Sequence, residues 1–362
     1  MVKSAYIHIP FCKSKCHYCS FVSFADLDLK KDFLKILAKE INHFYQGEIL
    51  NTLYFGGGTP SLLEVSEFEN IIRLFNINKN TEVTVEVNPE GGSYEFFRGL
   101  FDLGVNRISL GCQTFDDKIL NLINRRHNAG QVIDAVMAAQ NAGFGNISLD
   151  FIYGLPAQTQ DGFLHDLDIA SKAGIQHISL YGLKLEPDCH FSKNMPVNLP
   201  DDDVQADMYL AAVEFLKSKG FEQYEFSNFA QKGFNSRHNT AYWDNQEYYG
   251  FGVASHGYQN GIRYANLDTI EDYLKDFTSK KETKLLTQKE ILEEEIFLGL
   301  RKSCGIDVDK INSKFGIDFS SKYKNVLVKY LDLGLLEQTT KGYKLTLQGV
   351  LVSNVVLAEF ID

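Results

Sequence analysis

The sequence is short of several things, and each shortage excludes something. Its 362 residues include six cysteines, seven prolines and one tryptophan. Six cysteines are too few for a disulfide framework in a chain this long, and three of them share one short stretch, which suits a reducing compartment. No apolar run is long enough to span a bilayer. The N-terminus, Met1-Val2-Lys3-Ser4, passes directly into an apolar strand, without the pattern of a signal peptide. Positive charge is also scarce: 36 Lys and Arg stand against 47 Asp and Glu, a net charge of −11, which argues against a general nucleic-acid binder. These absences predict a soluble, cytoplasmic protein and leave peripheral membrane contact open. What is present is a 44% hydrophobic chain, enough for one large domain and a smaller one.

Residues 5–21 organise the rest. A short apolar strand, Ala5–Ile9, runs into Pro10, and Cys12, Cys16 and Cys19 follow in a C-x3-C-x2-C run. Three thiolates this close can hold three corners of an iron–sulfur cube and leave the fourth iron open to a small molecule. Zinc sites also use clustered cysteines, though as separated pairs or with regularly spaced histidines, and a disulfide would leave one cysteine over. With Tyr18 just before the third cysteine, the run resembles that of the radical S-adenosylmethionine (SAM) enzymes. That resemblance implies a [4Fe–4S] cluster whose open iron chelates SAM and whose electron splits it to a 5′-deoxyadenosyl radical.

Helical spacing of Phe33, Ile36, Leu37, Ile41 and Phe44 predicts a helix over about 29–44. A strand over 51–55 then meets Gly56-Gly57-Gly58-Thr59-Pro60. Ser66 and Glu69 read as a capping box opening the next helix. Glu82–Val87 alternates as a strand. A unit of helix, Gly, apolar residue and strand then recurs around Gly104, Gly143, Gly174 and Gly220, leading into strands at 107–110, 147–153, 177–181 and 223–229. Alternating helices and strands predict a parallel sheet with right-handed crossovers. Six such strands by Tyr181 predict an α/β fold: a partial (β/α)6 radical-SAM barrel over 1–230, with active groups on loops at the C-terminal strand ends. Residues 231–285 read as an aromatic, irregular connecting segment. Three helices and a hairpin split at Lys341-Gly342 predict a small winged-helix-like α+β domain over 286–362.

Several polar residues fall near the predicted mouth. The triple glycine lacks the Lys-Ser/Thr of a phosphate loop but lets backbone approach a ligand closely. Glu86 lies near the end of its strand, Gln113 follows the next, and Arg125 comes twelve residues later. Asp150 sits within an apolar strand, where a carboxylate needs a partner. Each, taken singly, also reads as a salt bridge or a loop anchor.

Four stretches narrow the resemblance: His8-Ile9-Pro10-Phe11-Cys12, Gly56-Gly57-Gly58-Thr59-Pro60-Ser61, Arg107 to Phe115, and Asp150-Phe151-Ile152-Tyr153-Gly154-Leu155-Pro156. They resemble the oxygen-independent coproporphyrinogen III oxidase family over nearly the whole chain. The resemblance implies that Tyr6, Tyr18, Gly57, Gly58, Thr59, Glu86, Gln113, Arg125 and Asp150 bind SAM. Three departures separate this chain from the oxidase itself. No long extension precedes Cys12, Phe21 stands where the oxidase has a further cysteine, and Arg237–Trp243 matches the His-Asn-x-x-Tyr-Trp signature of the family's heme chaperones. The implied function is binding heme and delivering it to acceptor proteins, membrane-bound ones included, with an electron donor as a further partner and no nucleic acid. His238 is the candidate heme ligand; His256 or a cysteine are alternatives. The competing function is radical oxidative decarboxylation of coproporphyrinogen III, or of another substrate.

Overall fold

A computed structural model describes residues 2–361. Six strands run parallel in sequence order: β1 (Ser4–Ile9), β2 (Thr52–Gly57), β3 (Glu82–Val87), β4 (Arg107–Gln113), β5 (Ile147–Tyr153) and β6 (His177–Gly182). Helices cross between them: α1 (Lys30–Phe44), α2 (Val65–Ile72), α3 (Tyr94–Asp102), α4 (Asp117–Leu122), α5 (Ala129–Ala142) and α6 (Gln160–Lys172). The strands alternate: Ile7, Phe55, Val85, Ile108, Leu149 and Ile178 are buried in the apolar core, while Thr52, Thr84, Ser109, Ser148 and Ser179 on the other face are buried polar residues. This is the expected partial barrel. The glycines of the recurring unit, Gly104, Gly143, Gly174 and Gly220, all have positive φ, the conformation that ends a helix and turns the chain toward the next strand.

The chain after β6 departs from the pattern. Helices α7 (His190–Lys193) and α8 (Asp202–Ser218) lead to two short strands, β7 (Glu222–Glu225) and β8 (Asn228–Ala230). These pair antiparallel, and β8 is antiparallel to β6. The fourth copy of the unit is therefore a hairpin closing the sheet's edge, not one more parallel strand. Segment 231–285 is also more than a connection. Helix α9 (Arg237–Trp243) lies under the barrel, and β9 (Tyr249–Phe251) adds a parallel strand to the free edge of β1. Glu40 explains that docking. Buried on α1, it accepts from Gly252 N at 2.8 Å, Asn266 Nδ2 at 2.7 Å and Tyr273 OH at 2.7 Å. One carboxylate thus ties β9 to β11 (Ile262–Asn266) and α10 (Ile270–Lys275). With β10 (His256–Gln259) and β12 (Lys280–Leu285), β11 makes a small antiparallel sheet.

A second hydrophobic core begins with α11 (Gln288–Leu300) and gathers Ile296, Leu300, Ile311, Phe319, Leu327 and Val356. Helices α12 (Val308–Phe315), α13 (Phe319–Lys322) and α14 (Lys324–Asp332) surround a three-stranded sheet of β13 (Ile306–Asp307), β14 (Leu336–Gln338) and β15 (Gly342–Leu345). Helices α15 (Leu347–Leu351) and α16 (Ser353–Ala358) follow. The expected three helices and hairpin are present, with a third strand besides. The module is hydrogen-bonded to the barrel's edge through Phe226 N to Arg301 O and Ser303 N to Tyr224 O. One local expectation fails: the capping box at α2 is Glu64 with Glu67, and Ser66 is already helical. Two boxes in adjacent registers fit the same sequence, and the earlier one captures the first turn.

Candidate functional site

The C-terminal ends of the strands open into a cleft of about 500 Å³, within the range of small-molecule sites. Cys12, Cys16 and Cys19 line one wall. Tyr18, Gly57, Gly58, Thr59, Glu86, Gln113, Arg125 and Asp150 line the same cleft. Residues from five strands and a loop after β4 thus converge on one space. Tyr6 and His238 are absent from that lining.

A chain of polar contacts fixes the cysteine loop. Cys12 Sγ lies 3.4 Å from Thr59 Oγ1, which accepts from Asn88 Nδ2 at 3.2 Å. Asn88 Oδ1 accepts from Arg125 Nη2 at 2.9 Å, and Arg125 Nη1 is 3.6 Å from Cys16 Sγ. Arg125 also donates to Gly111 O at 2.8 Å. Its guanidinium therefore stands beside the Cys16 sulfur and braces the loop from that side. Burial pushes the Cys19 thiol up to about 11, with Cys16 and Cys12 adding to the shift. Half-buried cysteines on a braced loop fit a cluster.

The opposite wall carries carboxylates. Tyr54 OH donates to Glu86 Oε1 at 2.8 Å, and Gly57 N donates to Oε2 at 3.2 Å. Burial, with Asp150 nearby, pushes Glu86 up to about 7. Asp150 accepts from Ser109 Oγ at 2.9 and 3.1 Å and from Ser148 Oγ at 3.1 Å, which answers the cost of a carboxylate in an apolar strand; burial still raises its pKa. Gln113 takes its place through a bulge at Cys112 and a left-handed φ of 69°. The glycine turn has a second constraint besides ligand approach. Gly57 has φ +109°, and a Cβ there would lie 2.5 Å from the His8 ring. Any side chain at Gly57 therefore disrupts the turn before a ligand arrives.

Tyr6 and His238 belong to the barrel's interior below the cleft. Tyr6 OH is 3.2 Å from His8 Nδ1, and its ring stacks on Tyr54 at 6.0 Å. His238 is 1% exposed. Its Nδ1 meets Thr52 Oγ1 at 2.8 Å, its Nε2 meets Tyr242 OH at 2.8 Å, and its ring stacks on Tyr54 at 4.9 Å. Burial, then Arg107, lowers its pKa to about 3. Thr52 opens β2 and Glu82, which accepts from His238 N at 3.0 Å, opens β3. These are the N-terminal strand ends, so His238 sits at the floor, not the mouth, and this arrangement offers no ring nitrogen to iron. His256 is exposed on β10. The sequence reading missed Tyr54, Asn88 and Ser109. Strand alternation places Tyr54 and Ser109 on the interior face; Asn88 carries only its position at the end of β3, before Pro89.

The Radical SAM superfamily profile matches residues 6–170, and that of the HemN C-terminal domain matches 286–352. The heme chaperone HemW of Lactococcus lactis is 39% identical, with 99% of this chain aligned to 97% of it. The chain belongs to the HemW family. HemW of Bacillus subtilis is 36% identical over 99% of both chains. Among solved structures, the radical SAM enzyme coproporphyrinogen III oxidase (HemN) of Escherichia coli superposes with a TM-score of 0.88 over 99% of this chain and 90% of that one. At 21% identity it shows that the HemW fold here is the HemN fold. Among the described residues, no helix is long and apolar enough to cross a membrane.

Proposed function

We propose that this chain is a heme chaperone, binding heme and passing it to acceptor proteins. The full-length likeness to two proteins named for that role carries the reading. On this reading Cys12, Cys16 and Cys19 hold a [4Fe–4S] cluster. Tyr18, the Gly57-Gly58-Thr59 turn, Glu86, Gln113, Arg125 and Asp150 hold SAM in the same cleft. Tyr6 contributes from behind, by packing on Tyr54.

A bound cluster supplies one electron at a time and an open coordination position. The residues of this chain do the remaining work. Arg125, with three polar neighbours, holds the second cysteine in place. The Gly57–Thr59 backbone leaves room beside the loop. Glu86 and Asp150 present acceptors to the cationic and hydroxyl-bearing parts of SAM. The further partners are an electron donor for the cluster and heme-receiving proteins, and the expected location is the cytoplasm, with membrane-associated acceptors in reach.

The test is anaerobic reconstitution with iron and sulfide, followed by hemin titration and, in parallel, incubation with SAM, reductant and coproporphyrinogen III. The expected result is hemin binding without protoporphyrinogen IX. Robust decarboxylation by cluster-loaded protein would overturn the reading in favour of the oxidase.

A further inference from the structure

A heme carrier needs an iron ligand, and the structure separates the nine histidines sharply. His8, His177 and His238 are buried with both ring nitrogens engaged: His8 by Tyr6 and Val22, His177 by Ser148 and Tyr224, His238 by Thr52 and Tyr242. His127 is buried beside Arg125, with Nε2 3.2 Å from Cys112 O. His43 and His165 are exposed on α1 and α6, helices of the barrel's outer layer. His17, His190 and His256 remain.

His17 stands inside the cysteine loop, between Cys16 and Tyr18. Its Nδ1 lies 3.0 Å from Leu122 O. A carbonyl only accepts, so Nδ1 carries the proton and Nε2 keeps its lone pair. Metal-binding imidazoles are oriented in this way, by a hydrogen bond from the nitrogen that does not ligate. Nε2 has no hydrogen bond among the described residues. The ring plane is also held. His190 stacks on it with centroids 4.2 Å apart and planes at 25°, and Phe191 lies 5.4 Å away. The backbone beneath is pinned by His17 N to Ile123 O at 3.1 Å and Phe191 N to His17 O at 3.0 Å. His256 has no such bracing: no hydrogen bond among the described residues sets its tautomer.

The surroundings suit an amphipathic, dianionic disc. Leu122, whose carbonyl meets His17, is 49% exposed, apolar surface that a porphyrin face would cover. Lys13, Lys15, Arg126 and Lys193 are exposed nearby in the chain and make no ion pair among the described residues, in a protein of net charge −11. Unpaired cations beside apolar surface match the two carboxylates of a heme.

We infer that His17 is the axial ligand of the heme iron, next to the second cysteine and packed against Leu122 and Phe191, with His190 as its stacking support. This rests on the chaperone reading. The bond formed is a dative one from the Nε2 lone pair to iron, with no change of oxidation state.

The experiment is hemin titration of the wild type and of His17→Ala, His190→Ala, His238→Ala and His256→Ala, followed in the Soret band, with metal-free protoporphyrin IX in parallel. Expected for His17→Ala is hemin binding weakened by at least the roughly tenfold that losing even an indirect partner of a metal ligand costs. Imidazole in the buffer should restore the wild-type Soret position, and protoporphyrin IX affinity should not change. Iron and sulfide uptake on reconstitution, equal to wild type, shows that the variant is folded. An unaltered hemin spectrum in His17→Ala, or a loss that follows His190→Ala, His238→Ala or His256→Ala instead, overturns the assignment and leaves the chaperone reading standing. Failure of the wild type to bind hemin at all defeats the chaperone reading itself.

Discussion

Strand β3 carries one glutamate at each end, and the two live in opposite worlds. Glu82, at the first residue, spends its carboxylate on backbone: Arg237 N and His238 N donate to it at 3.0 Å each. Around it, His238, Thr52 and Tyr242 close the barrel's floor with no free nitrogen or hydroxyl pair. Glu86, four residues on and on the same face, has one tyrosine hydroxyl and one backbone N–H, and then looks into an open cleft. At the floor this network uses up its own donors and acceptors, while Arg107 Nε, at the start of β4, and Trp243 Nε1, at the end of α9, are buried without a hydrogen-bond partner. The mouth keeps acceptors and thiols that the chain does not use up. A polar interior alone therefore does not mark a site; spare bonding capacity at an accessible place does.

The comparison breaks most visibly at the cysteines. Cys12→Ala, Cys16→Ala and Cys19→Ala should each take up little iron on anaerobic reconstitution, while Cys112→Ala, Cys189→Ala and Cys304→Ala should match wild type in iron content and visible spectrum. Wild-type iron in Cys16→Ala would remove the mouth's claim to a cluster.

At the floor the expected loss is stability. His238→Ala empties a buried ring site and strands Thr52 and Tyr242, a change worth about 3 kcal/mol from cavity and unpaired hydroxyls together. The midpoint of denaturant unfolding should fall accordingly, with the cleft's own ligands still bound by what remains folded. A variant as stable as wild type would mean that the floor is not held in the way described.

Glu86 sharpens the contrast through pH. With its pKa raised to about 7, it is mostly neutral below that value and ionised above it. SAM is cationic at its sulfonium, so its affinity should rise with pH through 7. Between pH 6 and 8 the ionised fraction grows roughly tenfold, which caps the effect. Calorimetric titration of SAM at both pH values checks it, and Glu86→Gln should flatten the dependence. The smallest effect is at the link between the two ends: Tyr54→Phe removes one hydrogen bond to Glu86, about 1 kcal/mol, and should weaken SAM severalfold. An unchanged affinity would show that the hydroxyl does not help to place the carboxylate.

Much of the architecture was readable because it repeats. Helical spacing marked α1, alternation marked β3, and glycines at helix ends announced β4 to β6. The same regularity misled at Gly220, where an identical signal precedes a hairpin whose second strand, β8, turns back antiparallel onto β6. Strand β9 was invisible: Tyr249-Gly250-Phe251 is three residues long, and only the free edge of β1 and the grip of Glu40 make it a strand. The site shows the same division. Its cysteine spacing and glycine turn announced chemistry, whereas Tyr54, Asn88 and Ser109 matter through partners 29 to 41 residues away.

The sequence by itself determined the repeating α/β barrel, the cysteine loop at its C-terminal face and the family's signatures, because periodicity, capping and spacing act over a few residues. Only the tertiary structure decided which polar residues face a ligand. His238 carries the conspicuous signature yet ends at the closed end of the barrel, and His17 reads as a spacer between cysteines yet ends with one nitrogen held and the other free. Accessibility and hydrogen-bond saturation depend on what the rest of the chain packs against a side chain, and no local pattern encodes that.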